Sequence, residues 1–267
     1  MRLVYALAFA LTIASQSPVH AQAGKPPSQI ESWPLSQISD MGQEIYRQDV
    51  AAWVATDALF AKLGDKPPAG LAGWIVVSNG DDQIVRFVIQ TDGVLKSGWD
   101  VPVRQGVAGE VVQTANLPLS DVERAMFTAR QTALNASNPL RCSRTVNTAV
   151  THAPQGEGWI VWILTPMPDR NVIPMGGHQR LTISQDGSTI LRRDILSSGC
   201  MDVEDPKSEN RPAAVVITSV VSDRPTEAHV FLSLQSRIPI YVSAGKDNLF
   251  EVNGARIRNV ETSASPR

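Results

Sequence analysis

The sequence predicts an α+β protein, with two main helices packed on mostly antiparallel sheet and a β-rich C-terminal third. Three observations carry this. Residues 38–63 and 120–137 repeat apolar positions at helical spacing. Short apolar runs elsewhere end in turn pairs such as Asn79-Gly80, Asp92-Gly93 and Asp186-Gly187. The strands also come in runs joined by hairpin turns, not singly between helices, which disfavours a doubly wound sheet.

The N-terminus comes first. Arg2 precedes an apolar run over residues 3–14, followed by the helix breaker Pro18 and small residues in Val19-His20-Ala21. This is the layout of a secretory signal peptide cleaved after Ala21. The apolar run is too short for a membrane span, which needs about 20 residues. No cysteine follows it to carry a lipid, so no membrane anchor is expected. Residues 22–34 are polar and proline-bearing and read as a flexible leader.

The first helix ends at Gly64 and Pro67-Pro68. Its apolar stripe gathers Ile38, Met41, Ile45, Ala52, Trp53, Leu59, Phe60 and Leu63. Strands follow over residues 74–77, 85–89 and 94–114. The second helix opens on a capping box, Ser120 with Glu123. An extra strand falls at 144–151. Trp159 to Leu164 is apolar on both faces and reads as a central strand. Strands at 178–184 and 189–196 flank Asp186-Gly187. The last third gives strand signals at 213–221, 228–234, 238–242, 249–252 and 256–260, with Pro239 placing its strand at an edge.

The organisation is thus a signal (1–21), a leader (22–34) and a first α+β unit (35–115). A second α+β unit (116–204), a C-terminal β region packed on it (205–260) and a loose tail (261–267) follow. Cys142 and Cys200 are the two cysteines, and in an oxidising compartment they read as a structural disulfide. With 24 Lys+Arg against 26 Asp+Glu, nothing attracts the chain in bulk to nucleic acid or anionic lipid.

Two segments echo each other. Gly73-Trp74-Ile75-Val76 recurs as Gly158-Trp159-Ile160-Val161, and the run from Arg86 to Gly93 recurs from Arg180 to Gly187. Two explanations stand side by side: coincidence of common hairpin signals, or duplication of a helix-then-meander unit.

Motifs for chemistry are sparse. The chain lacks GxSxG, HExxH, a Gly-rich phosphate loop and an EF-hand loop. Ser243-Ala-Gly-Lys246 matches SxxK, but in a strand-and-turn context. His152, His178 and His229 are 26 and 51 residues apart, which gives no metal-ligand spacing. No cofactor or metal is therefore expected. Asp49 and Thr56 fall inside the apolar stripe of the first helix. A carboxylate there needs a partner, and the row His178, Arg180, Thr182 on one strand face could supply it. Such a group either orients the helix or lines a polar pocket. Glu227 and His229 share a face if 228–234 is a strand. Asp202, Glu204 and Asp205 form an acidic loop read as solvated.

The stretch GGHQRLTISQDGSTIL (176–191), with Cys142 and Cys200 flanking it, resembles a family of exported bacterial proteins to which no activity is assigned. The resemblance covers the second half of the chain and implies export, not a reaction. The expectation is a periplasmic or secreted protein without catalytic machinery, binding a small ligand or an envelope protein. The alternative is a hydrolase-type enzyme with a polar site near Asp49, His178 and Arg180. His229 is a further ligand-binding candidate.

Overall fold

The structure is a computed structural model describing residues 30–260, apart from 65, 81, 137, 155, 157, 170–171, 205–212 and 247. The expected signal peptide (1–21), residues 22–29 of the expected leader and the expected 261–267 tail lie outside the described residues. No described helix is long and apolar enough to cross a membrane.

The class is α+β. Helix α1 (Leu35–Leu63) leads into β1 (Leu71–Asn79), β2 (Asp82–Thr91) and β3 (Val94–Arg104), an antiparallel meander extended by the short strands β4 (Val107–Ala108) and β5 (Val112–Gln113). Helix α2 (Asp121–Asn135) leads into a second meander. It is made of β6 (Asn147–His152), β7 (Trp159–Leu164), β9 (Gln179–Ile183) and β10 (Ile190–Ile195), in the order β10-β9-β7-β6. Two short strands, β8 (Val172–Pro174) and β11 (Asp202–Glu204), pair outside it. The last unit is β12 (Val215–Ser219), helix α3 (Glu227–Ser236), β13 (Ile240–Ala244), β14 (Asn248–Asn253) and β15 (Arg256–Asn259). There β12 runs parallel to β13, and the remaining pairs are antiparallel.

Strand alternation stacks these units into layers. Val76, Val85, Phe87, Val101 and Val103 pack on Ala51, Ala55 and Leu59 of α1. Ile75 and Val88, on the opposite face of that sheet, meet Phe127 of α2. The other side of α2, through Ala129 and Ala133, covers Trp159, Val161, Ile163, Leu181 and Ile183 of the second sheet. The reverse face of β7 (Ile160, Trp162, Leu164) joins α3, the start of α1 and the last sheet in the largest core. All six residues of β7 are buried, as expected for a central strand.

The second helix keeps its expected start: Ser120 accepts from the Glu123 N–H and Glu123 accepts from the Ser120 N–H. Four expectations are corrected. Residues 228–234 are not a strand but the body of α3. The helix is buried almost all round, so it lacks the one-sided stripe that marks a helix in sequence. The β-rich last third therefore contains a third helix. Pro239 does not mark an edge strand. It precedes β13, which is interior, and its carbonyl accepts from Val215 N at 2.9 Å. Trp53 is 60 % exposed and Leu63 40 %, so the buried stripe of α1 keeps Ile38, Ile45, Ala52 and Leu59 and takes in Ala51 and Ala55 in place of Trp53 and Leu63. Ile30 and Trp33, at the end of the expected leader, are buried in the largest core.

The echo has a physical counterpart. Trp74 and Val76 face the helix that precedes them, α1; Trp159 and Val161 likewise face α2. Phe87 and Leu181 share those faces. Arg86 and Arg180 point the other way, and each meets an Asp 14 residues on, directly across the ladder, and a Glu in the first turn of the next helix. The units also differ. Pairing is Trp74 with Phe87 in one and Trp159 with Ile183 in the other, and β1 is an edge strand where β7 is interior.

Candidate functional site

Arg180 is a buried cation with partners on several sides. It sits on the β9 face turned away from α2 and is 1 % exposed. Its Nε donates to Asp194 at 3.2 Å and its Nη2 to the same carboxylate at 2.7 Å; Nη1 donates to Glu227 at 3.2 Å. Nη2 also donates to the Glu31 carbonyl at 2.7 Å, and the guanidinium lies 3.7 Å from the Trp33 ring centroid. The Trp162 indole N–H completes Glu227 at 2.9 Å. The space among these groups admits no water-sized volume. A buried charge satisfied on every side fixes neighbours in place and leaves no donor for a ligand.

The two buried histidines are likewise committed. His178 Nε2 donates to the Pro174 carbonyl at 2.7 Å, and its Nδ1 accepts from Thr165 N–H at 3.3 Å. His229 is the third residue of α3, not a strand residue beside Glu227. Its Nδ1 accepts from Thr226 N–H at 2.9 Å, capping the helix. Burial lowers both pKa values to about 4, and for His229 the neighbouring His178 adds to the shift. In each ring the nitrogen that would take a proton already faces an N–H, so the neutral form is held by geometry as well as by desolvation.

Asp49 does not meet the His178–Arg180 row. Its carboxylate accepts from Asn147 at 2.8 Å and Gln235 at 3.3 Å, tying α1 to the start of β6 and to α3. Burial raises its pKa, and the two amide hydrogen bonds oppose that. One residue earlier, Gln48 bonds both the N–H and the carbonyl of Val150. Its side chain stands where a neighbouring strand would, closing the open edge of β6. Thr56 bonds back to the Ala52 carbonyl at 2.6 Å. Asp202 and Glu204 lie on β11, and Asp205 is outside the described residues.

The GGH run is also explained by packing. Cys142 and Cys200 form a disulfide with Cα atoms 5.5 Å apart. A Cβ on Gly177, whose φ is +83°, would lie 2.6 Å from Cys142 Sγ. One on Gly176 would lie 2.1 Å from the Gly199 carbonyl. Further along, a Cβ on Gly187 would meet the Ala125 carbonyl of α2 at 2.3 Å. Each glycine therefore lets backbone or sulfur approach where no side chain fits.

Open space lies on the opposite face of the same strand. A cleft of about 370 Å³ forms where α2 ends over the second sheet. Ile163, Leu181, Ala133 and Val146 give it an apolar floor. Asn138, Gln179, Arg141 and Arg193 bring polar groups to it. Gln179 is fixed by donating to the Asn138 side chain. Arg141 donates from Nε to the Ser143 carbonyl at 2.9 Å and from Nη2 to the Arg144 carbonyl. Arg193 stands directly across from Leu181 on β10. The connection that walls the cleft contains Cys142, so the disulfide anchors that wall. Sequence reasoning missed these residues. Gln179 differs from Arg180 only in which face it occupies, and the cleft depends on where α2 stops.

No known family, curated protein or solved structure matches the chain.

Proposed function

We propose that the chain is an exported, non-catalytic binding protein whose ligand site is the cleft at the C-terminal end of α2. The cleft carries the reading: it falls within the size range of small-molecule sites, about 300–1,000 Å³, with an apolar floor and a few convergent polar groups. Its described lining holds no nucleophile and no general base. The groups that could do acid–base chemistry elsewhere, His178, His229 and Asp49, are each engaged in bonds that hold elements together. The disulfide supports an oxidising compartment, periplasmic or extracellular, in keeping with the signal read at residues 1–21.

Native mass spectrometry of the protein from the exported fraction, beside an Asn135→Trp variant, tests this. Asn135 is exposed at the lip of the cleft. The expected result is a retained small-molecule mass on the wild-type chain that the variant loses. Equal retention by both would place the site elsewhere.

A further inference from the structure

Among the described residues, every sheet edge but one carries a device that blunts pairing with another chain. The edge of β6 is closed by Gln48, which bonds the Val150 N–H and carbonyl. β1 has a register shift at Gly73, and Gln131 donates to its Ala72 carbonyl at 3.4 Å. β10 has a register shift between Ile190 and Arg192, and arginines at 192 and 193. β15 carries exposed Arg256 and Arg258, and β4, β5, β8 and β11 are only two or three residues long. Bulges, charge and shortness all protect an edge. β12 ends its sheet with a regular register, and residues 213–222 around it contain no charge and no proline.

The spacing along β12 decides what faces outward. Val215 N–H donates to the Pro239 carbonyl at 2.9 Å, and Val215–Ser219 runs parallel and in register with Ile240–Ala244. Alternate residues of a strand bond the same neighbour. The backbone groups of Val215, Ile217 and Ser219 therefore face β13, and those of Val216, Thr218 and Val220 face the open edge. Val216 is 72 % exposed and Val220 54 %, with Thr218 exposed between them. At the far end Ile30 N–H donates to the Val221 carbonyl at 3.2 Å, so the open stretch stops at Val220.

We infer that this edge pairs with the same edge of a second copy, antiparallel across a two-fold axis at Thr218, which joins the two four-stranded sheets into one. The sequence about Thr218 is self-complementary under that operation. Thr218 meets its own counterpart, Val216 meets the second copy's counterpart of Val220, and Val220 that of Val216. These are the residues whose N–H and C=O groups face outward, so each pair exchanges two hydrogen bonds. The side-chain pairs are Val with Val and Thr with Thr, which suit antiparallel neighbours, and no like charges oppose each other.

Sedimentation velocity of the exported protein over a range of concentrations tests this, with three variants. Thr218→Pro removes an N–H that faces outward and leaves the bonds from β12 to β13 in place. Val216→Lys and Val220→Glu each put a charge at an exposed position. The expected result is a reversible dimer whose Kd rises about thirtyfold in Thr218→Pro, from one lost donor on each copy, with the far-ultraviolet circular dichroism unchanged. Val216→Lys and Val220→Glu should each weaken self-association. An equimolar mixture of the two should dimerise more tightly than either alone, because Lys then faces Glu at one end and Val faces Val at the other. A wild type that stays monomeric to millimolar concentration overturns the inference and leaves the edge to a strand of another protein. A dimer indifferent to Thr218→Pro and to Val216→Lys lies at another interface and overturns it as well. So does a mixture no tighter than its components, which excludes the two-fold register.

Discussion

At the scale of single residues, the titratable groups that stand out in sequence serve the fold. His178 and His229 give this a measurable sign. Their folded pKa values, near 4, lie below the unfolded value of about 6.5. The unfolded chain therefore binds protons between those values while the folded chain does not. Stability is full above about pH 6.5 and falls as the pH drops towards 4, by on the order of 3 kcal/mol for each ring. Asp49, raised by burial, works in the opposite sense as acid is added. Urea unfolding at pH 7 and pH 4.5 should show the loss, and a His178→Gln, His229→Gln double variant should show a smaller one. Gly177→Ala forces a side chain against Cys142 Sγ at a positive φ. It should lower stability by more than about 1 kcal/mol, seen as a fall in Tm.

Elements are held by the repeated Arg–Asp–Glu arrangement. In the first unit Arg86, Asp100 and Glu123 are each about one-fifth to one-quarter exposed, whereas Arg180, Asp194 and Glu227 are 1–3 % exposed. The same chemistry therefore has different weight. Arg180→Met leaves Glu227 buried without a cation and Asp194 with Arg192 alone, and should cost about 3–5 kcal/mol; Arg86→Met, in partial contact with water, should cost about 1 kcal/mol. Adding Asp194→Leu and Glu227→Leu to Arg180→Met should recover much of the loss in denaturant unfolding, since no charge is then left buried. The echo of Arg86 and Arg180 was visible in the sequence, as were both long helices, the capping box at Ser120 and the central strand at Trp159. The partner carboxylates were not, because cross-strand register and the start of α3 decide them. Helix α3 itself was hidden by its burial: Ala228, Val230 and Leu232 alternate as a strand would, and a helix enclosed on all sides has no polar face to betray it.

At the scale of the molecule, sheet and helix alternate from α1 through to the last sheet, and α1 runs along most of the stack. It touches the first sheet through Ala51 and Ala55, β6 through Gln48 and α3 through Asp49. The disulfide closes a 58-residue separation spanning the second sheet. Replacing Cys142 and Cys200 with Ala should cost about 4 kcal/mol of stability, and it should also weaken retention of a ligand in the cleft by freeing the wall that contains Cys142. The cleft was illegible in the sequence, because it depends on α2 ending short of the sheet it covers. The central claim is that binding belongs to this cleft and that the Arg180 cluster on the other face of β9 is structural. Amide chemical-shift mapping by NMR during titration with 1-anilinonaphthalene-8-sulfonate tests it directly. Shifts gathered at Asn135, Ala136, Asn138, Gln179 and Arg193 are predicted, and shifts centred on Trp33, Glu227 and His229 would contradict it.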